Sequence, residues 1–354
     1  MSVIDFLIHG FLDWSSWWIV LYTLVTTHIT IVSVTIYLHR SQAHIALKLQ
    51  AVPEHFFRFW LWVHTGMLTK VWQSIHRKHH AKCETEEDPH SPVAHGIKKV
   101  FWQGAELYRA EAKNEETMIR YGYGAPYDWL ERNLYSRYPK LGVTILLFIN
   151  VFLFGVLGLT VWAVQMAWIP VLAAGVVNGV GHYWGQRTFS PPDESRNIFP
   201  LGILIGGEEL HNNHHTYPAS AKLSVEWYEF DIGWLYIRFL ELLRLAKVNR
   251  KHLAPRVQIA HHTNTPEETV RVVVVMRFEL LRQFDALVKD VPATSRELVQ
   301  QLRKELTSLW EDKTLTVETR LERFSDWCLK ARSSGVLWLD GLVSLLPYWR
   351  VVRG

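Results

Sequence analysis

The sequence predicts an all-α integral membrane protein whose spans bring a histidine-lined metal site together on one membrane face. Two stretches lack any Asp, Glu, Lys or Arg, Trp14 to Leu38 and Leu141 to Gln186. Hydrophobic residues make up 49% of the 354 positions, and seventeen are tryptophan, which sets the chain apart from an average soluble enzyme. Nine of the eighteen histidines fall in four short motifs: His39-Arg-Ser-Gln-Ala-His44, His76-Arg-Lys-His79-His80, Asn178-Gly-Val-Gly-His182 and His211-Asn-Asn-His214-His215.

Trp14 to Leu38 runs for twenty-five residues between Asp13 and Arg40. About twenty apolar residues cross a bilayer as a helix, so residues 14–38 form the first span. Trp14, Trp17 and Trp18 suit an interfacial belt, and Arg40 marks the cytoplasmic end. Val3 to Leu12, interrupted by Asp5 and His9, is too short to cross and reads as interfacial. Met1 to Asp13 has no Lys or Arg and no small-residue cleavage pattern, so it does not read as a signal peptide. Val52 to Trp72 is broken by charge, and its longest uncharged run, Phe59 to Thr69, has eleven residues. That length favours a helix lying in the membrane plane over about 52–72. A crossing there would also put the first two histidine clusters on opposite faces.

Residues 81–140 are polar and read as water-exposed. The forty-six residues from Leu141 to Gln186 suffice for two helices and a tight turn near Gly158 to Thr160, giving spans at about 141–158 and 161–184. Two crossings return the chain to its starting face, which places His182 beside the first two clusters. Ile198 to Gly207 is uncharged but too short to span, and it leads into Glu208-Glu209-Leu210-His211. Trp227 to Ala246 is amphipathic. Beyond it, Leu280 and Phe284, then Leu302 and Leu306, keep helical spacing. The apolar run Val336 to Trp349 either lies on the membrane or caps this helical tail. The chain thus divides into a membrane domain, 1–263, and a C-terminal helical extension, 264–354. Arg40, Lys48, Arg77, Lys78, Lys98, Lys99, Lys140 and Arg187 crowd the histidine-bearing face, so that face is expected to be cytoplasmic.

The net charge of +4 comes without any basic run or aromatic-interleaved patch, which sets nucleic-acid binding aside. Cys83 and Cys328 are too few for a four-cysteine metal site or an iron–sulfur cluster, and read as free thiols in a reducing compartment.

The spacing i, i+3, i+4 puts His76, His79 and His80 on one helical face, and His211, His214 and His215 repeat it. Asn178 and His182 are i, i+4. His39 and His44 lie five apart, about 140° round an ideal helix. They either serve two different metals or straddle a break at the helix end. Imidazole suits iron, zinc, copper and nickel, so nine converging histidines imply transition-metal ions, two of them. His28, His55, His64 and His90 read as packed or snorkelling side chains. Arg77 and Lys78 read as facing solvent or lipid headgroups. Asp88, Glu208 and Glu209 are candidates for orienting ligand imidazoles through their N–H groups.

The motifs HRSQAH, HRKHH and HNNHH resemble the three histidine boxes of the membrane fatty-acyl desaturases. Asn178-Gly-Val-Gly-His182 is similar to that family's Asn-plus-His element at the end of its last transmembrane helix. ETEEDPHSP (84–92) and EFDIGWLYIR (229–238) look like the acyl-CoA and acyl-lipid Δ9-type branch. The resemblance covers about residues 14–255. It implies a di-iron centre ligated by His39, His44, His76, His79, His80, His182, His211, His214 and His215, with Asn178 nearby through a water. It also implies a mushroom-like all-α fold, with a cytosolic helical cap bearing the metals above a transmembrane stem. The family has two transmembrane hairpins, whereas one clear crossing precedes the first box here. The stem therefore has three spans, or four if Val3 to Leu12 is a shortened arm.

The implied activity is O2-dependent formation of a cis double bond, Δ9, in an acyl-CoA or phospholipid-linked chain. An unactivated methylene offers no acidic proton and no electrophile, so its C–H bonds demand the oxidising power that reduced iron draws from O2. The protein must hold the acyl chain in a water-excluding apolar tunnel. Trp72, Tyr183, Trp184 and Trp227, near ligands in sequence, are candidate tunnel walls. The chain carries no second redox unit, so an external donor (a ferredoxin, cytochrome or reductase) is expected to supply two electrons per turnover. The expected location is an integral membrane one, the cytoplasmic membrane in a bacterium. Two other readings are a hydroxylase or related oxygenase on the same scaffold and a membrane metal transporter. A transporter would need ionisable residues lining its spans, which offer only His28, with Asn150 and Gln165 as isolated polar groups.

Overall fold

The structure is a computed structural model that describes residues 2–189, 191, 193–249, 256–259, 263–312 and 315–352. The chain forms two compact units, Met1–Arg187 with Pro192–His252, and Thr188–Pro191 with Leu253–Gly354.

The first unit opens with α1 (Val3–His9), closed by a reciprocal cap: the Ser2 hydroxyl accepts the Asp5 amide while the Asp5 carboxylate accepts the Ser2 amide. Its carbonyl at Leu7 accepts the Val156 amide, and Phe11 N–H bonds to Phe152 O, so this arm docks on the turn between α8 (Pro139–Phe154) and α9 (Leu157–Ile169). The helix α2 (Ser16–Ser33) continues as a π-helical segment, Val34–Ala43, for 28 residues in all. Likewise α9 continues through a π-helical segment, Pro170–Val177, to His182, over 26 residues. These two helices are long and apolar enough to cross a membrane, while Pro139–Phe154 is a shorter apolar helix.

The α8–α9 turn falls at Gly155–Val156, not at Gly158 to Thr160. Gly155 has φ 60°, a conformation that costs other residues energy, whereas Gly158 sits inside α9 with the Asn150 backbone packed where a Cβ would be. Asn150 and Gln165, isolated in sequence, meet across the hairpin. The Asn150 amide donates to Gln165 Oε1 at 2.8 Å, Gln165 Nε2 donates to Thr26 at 2.9 Å, and Tyr22 donates to Asn150 at 3.1 Å. Away from water such amide pairs tie α2, α8 and α9 together, at roughly 0.6–2 kcal/mol each.

The stretch 52–72 is not one segment. α3 (Ala51–Thr65) ends where Gly66 turns left-handed at φ 64° and donates to the Leu61 and Trp62 carbonyls, and α4 (Thr69–Lys82) starts afresh. α3 buries Phe57, Arg58, Leu61 and Trp62 and exposes Val52, Phe56 and Phe59. Its buried Arg58 guanidinium meets the Asp128 and Glu131 carboxylates, so that charge is paired within the protein. The polar region 81–140 contains α5 (Pro92–His95), α6 (Ile97–Glu111) and α7 (Glu115–Arg120). Arg77 and Lys78 face inward, contrary to their sequence reading. Arg77 donates to the carbonyls of Gln42, Ala43, Tyr121 and Tyr123, and Lys78 pairs with Glu111 at 2.8 Å. Arg77 is recruited by carbonyls of the neighbouring chain that need donors, and Lys78 by the Glu111 carboxylate.

After α9 come α10 (His211–Thr216) and α11 (Ile232–Leu242). Arg40 is 1% exposed and joins them to α2. Its guanidinium is bidentate to Asp231, at 3.0 and 3.1 Å, and donates to Gly206 O and Ala221 O. Asp231 also caps α11 through the Trp234 amide. Gly207, at φ 101°, is required here because a Cβ would overlap this ion pair.

The second unit packs α12 (Pro266–Asp290), α13 (Ala293–Glu311), α14 (Val317–Ser333) and α15 (Leu337–Leu345) around Leu280, Phe284, Leu302, Leu306 and Trp327. An antiparallel strand pair, Arg256–Ile259 with Trp349–Val352, closes it. Leu339, Leu342, Val343 and Leu346 are buried in this core, so the apolar run from Val336 caps the helical tail.

Breaking a buried ion pair strands one charge, which costs about 3–5 kcal/mol. Asp231→Ala is therefore expected to lower unfolding stability by about that much, read as a drop in Tm of the detergent-solubilised protein. An unchanged Tm would show that Arg40 finds another partner.

Candidate metal centre

The π-helical end of α2 resolves the awkward spacing of the first motif. A π-helix closes i→i+5 hydrogen bonds, so residues five apart stack on one face. His44 N–H bonds to His39 O at 3.1 Å, and the two rings lie 4.8 Å apart. They join one cluster and do not divide between two. α4 brings His76 and His80, and α10 brings His214. The donors of His39, His44, His76, His80 and His214 all lie within 4.8 Å of one another.

A second cluster forms beside the first. His79, His182, His215 and Cys83 offer donors that also lie within 4.8 Å of one another. His211 Nε2 is 3.0 Å from His182 Nε2. The His80 and His215 rings stack at 4.4 Å, so the clusters abut.

Carboxylates set the imidazole tautomers. His39 Nδ1 lies 2.7 Å from Glu208, His79 Nδ1 3.0 Å from Asp88, His182 Nδ1 3.2 Å from Glu84 and His215 Nδ1 3.0 Å from Asp193. An Nδ1–H donated to a carboxylate leaves the Nε2 lone pair pointing into the cluster. Asp88 and Glu208, candidates named from the sequence, are two of these four carboxylates. Glu209 is not: its carboxylate accepts the Ile205 and Gly207 amides and fixes the loop before α10. Glu84 and Asp193 were missed, because 98 and 22 residues separate them from their histidines and no local spacing signals the pairing.

Whether these residues fit a metal is answered by their lone pairs. His214 Nε2 faces His39 Nε2 at 3.1 Å and His80 Nε2 at 2.9 Å, and His44 Nε2 faces His76 Nε2 at 2.8 Å. One N–H can satisfy one such contact, not the set. His211 Nδ1, His214 Nδ1 and His215 Nε2 are buried without a hydrogen-bond partner. Protonation does not relieve this. Burial, then the neighbouring imidazoles, hold His76, His80, His214 and His215 well below the ordinary histidine value, and His211 is pushed down to about 3. Metal cations fit both clusters.

Beside the clusters lies an apolar cavity of about 630 Å³, walled by residues such as Ile31, Val34, Ile75, Ile169 and Trp162, with His39, His76 and His211 in its lining. That volume suits a small-molecule ligand. Trp72 belongs to its wall and stacks on His76 at 4.8 Å. Asn178 lines the cavity too. Tyr183, Trp184 and Trp227 are corrected: they are 62%, 64% and 92% exposed and form no part of the wall. A tight 3-10 turn, Val180–His182, aims His182 inward and sends the next two rings out. His90, read as an ordinary packed residue, lines the cavity and stacks on His79 at 4.4 Å.

Fold and site define a helical protein with adjoining histidine metal cradles against an apolar cavity. Residues 15–242 match the fatty acid desaturase family, and the chain belongs to that family. It is a fatty acid desaturase. It is 30% identical over 240 residues to Delta-9 acyl-lipid desaturase 2 of Arabidopsis thaliana, covering 67% of this chain and 75% of that one. The acyl-CoA C20 Delta5-desaturase of Anemone leveillei is 32% identical over 244 residues, 66% of this chain and 73% of its own. Delta-9 desaturase-like 3 protein of Arabidopsis thaliana is 34% identical over 220 residues, 61% and 72% of the two chains.

Two outcomes are expected. Removing an orienting carboxylate, as in Glu84→Ala, should weaken metal binding about 10- to 100-fold, measured by metal titration of the apo-protein; an unchanged affinity would make that carboxylate a bystander. The pH dependence has a fixed sign. These histidines are held neutral in the fold and titrate near 6.5 when unfolded, so the stability they contribute is present above about 6.5 and lost as pH falls. Desalting at stepped pH should show metal release and a Tm that falls from about pH 6.5 down towards pH 3. A flat profile would contradict the buried neutral state.

Proposed function

We propose that this enzyme forms a cis double bond, at the Δ9 position, in an acyl-CoA or phospholipid-linked fatty acyl chain, using O2. The observation that carries the reading is the pair of adjoining histidine clusters at an apolar cavity of about 630 Å³. In this reading His39, His44, His76, His80 and His214 hold one iron, and His79, His182, His211 and His215 hold the other. Asn178 faces them from the cavity wall, through a water. Bound iron, reduced by an external ferredoxin, cytochrome or reductase, supplies the oxidising power from O2 that an unactivated C–H bond requires.

The protein's own part is placement. Ile31, Val34 and Ile75 take up methylenes and exclude water, and Trp72, stacked against His76, walls the chain where it passes the imidazoles. Glu208, Asp88, Glu84 and Asp193 keep the Nδ1 protons, so the Nε2 atoms stay available as donors. The two long apolar helices and the shorter α8 between them are taken as membrane spans, with α3 in the membrane plane and the lysine- and arginine-rich metal face towards the cytoplasm.

Expression in a host lacking its own desaturase, followed by gas chromatography of total lipids, tests this. New cis-Δ9 monounsaturated chains are expected, with at least a 100-fold loss in His214→Ala, whose Nε2 faces two other donors. Hydroxy acids without new alkenes would overturn the desaturation reading in favour of hydroxylation.

A further inference from the structure

We propose that His90 is a catalytic residue of the desaturation: its Nε2 gives a hydrogen bond to the oxygen atom that leaves as water, and so steers the reaction to an alkene instead of an alcohol. The inference rests on the reading that the adjoining clusters hold two iron ions and act on an acyl chain with O2. Three observations carry it. His90 lines the apolar cavity, as His39, His76 and His211 do. It is 6% exposed and stacks on the His79 ring at 4.4 Å and 29°, so it stands one ring away from the second cluster. Its Nε2 is buried and has no hydrogen-bond partner among the described residues. His79, Asp88 and His90 also offer donors within 4.8 Å of one another, but His79 and Asp88 are already bonded to each other.

The local backbone holds the ring in this place. Asp88 Oδ1 accepts the His90 amide at 3.1 Å and the His79 Nδ1–H at 3.0 Å, while Oδ2 accepts the Glu84 amide at 2.7 Å. Ser91 caps α5 by accepting the Val93 amide, with Pro92 in the first turn. That carboxylate is committed to His79 and to two amides. His90 therefore has no counterpart to the carboxylates that orient His39, His79, His182 and His215. Burying an unbonded ring nitrogen is costly, and a phenyl ring would fill the same wall without that cost. The cost is lifted when a polar atom arrives in the cavity, and the reaction supplies one.

Desaturation takes R–CH2–CH2–R′, O2, two electrons from the external donor and two protons to R–CH=CH–R′ and two waters. Hydroxylation takes the same reactants to R–CHOH–CH2–R′ and one water. Both begin by breaking one C–H bond. The oxygen then either takes a second hydrogen from the neighbouring carbon and leaves as water, or bonds to the first carbon and stays there. An N–H fixed on the cavity wall holds the oxygen away from that carbon while the second hydrogen is removed.

The test expresses the full-length enzyme in a host lacking its own desaturase and measures hydroxy and unsaturated chains from one culture by gas chromatography with mass detection. His90→Phe is expected to raise the ratio of alcohol to alkene about tenfold or more, the loss of one hydrogen bond. His90→Gln, which keeps a donor at similar reach, should restore a ratio close to the wild type. Titration of the metal-free His90→Phe protein with Co2+ should match the wild type in stoichiometry and affinity, because His90 is not a ligand. Where His90→Phe does not fold, His90→Ala opens space instead of filling it and reads the same ratio. An unchanged ratio in a variant that binds Co2+ normally would overturn the role of His90 and leave the desaturase reading standing. Weakened Co2+ binding would also overturn it, making His90 a support of the metal cradle. A wild type that forms no alkene would overturn the reading beneath it.

Discussion

Nine imidazoles packed with lone pairs facing one another make up the interaction on which the rest of the first unit depends. Without cations the arrangement is unfavourable: each buried, unsatisfied polar group costs about 1–3 kcal/mol, and three of these nine imidazoles have a nitrogen with no hydrogen-bond partner. Helices from distant parts of the chain are nevertheless held in this arrangement. Paired charges do the holding, through Arg40 with Asp231 behind the first cluster and the carboxylates of Glu208, Asp88, Glu84 and Asp193 on the rings themselves. A metal bound there would couple binding to folding, since it would relieve the repulsion that the protein scaffold enforces.

Helix irregularity matters as much as helix formation. Both long apolar helices end in π-helical segments where they approach the site, Val34–Ala43 and Pro170–Val177. The first change of pitch puts His39 and His44 on one face. The second is followed by a tight turn that separates Asn178, in the cavity wall, from His182, among the donors. An unbroken α-helix would have kept Asn178 and His182 together and sent His39 and His44 apart.

The apolar hairpin is anchored by its few polar groups. Asn150, Gln165, Thr26 and Tyr22 bond across α2, α8 and α9, and Gln165 also lines the cavity. Two of these helices, α2 and α9, lead into segments that carry clustered histidines, and Gln165 ties them together beside the cavity, so cavity shape and histidine placement share one scaffold. Packing alone would discriminate poorly among apolar faces; the hydrogen bonds specify which residues meet.

The amino-acid sequence by itself determined the metal-binding residue types, their helical spacing and the apolar helices, because both periodicity and charge-free length are local properties. It also singled out Asp88 as a candidate, which the fold sets against His79, nine residues away. Contacts made across long separations were decided only by the tertiary structure. Glu84 meets His182 from 98 residues away, and Arg40 meets Asp231 from 191. Proximity in sequence misled for Tyr183, Trp184 and Trp227, which point outward although ligands lie close by. The direction in which a side chain points depends on backbone pitch and on which neighbour offers the nearest unpaired group. Neither is written in residue spacing, and both were settled by how the helices pack.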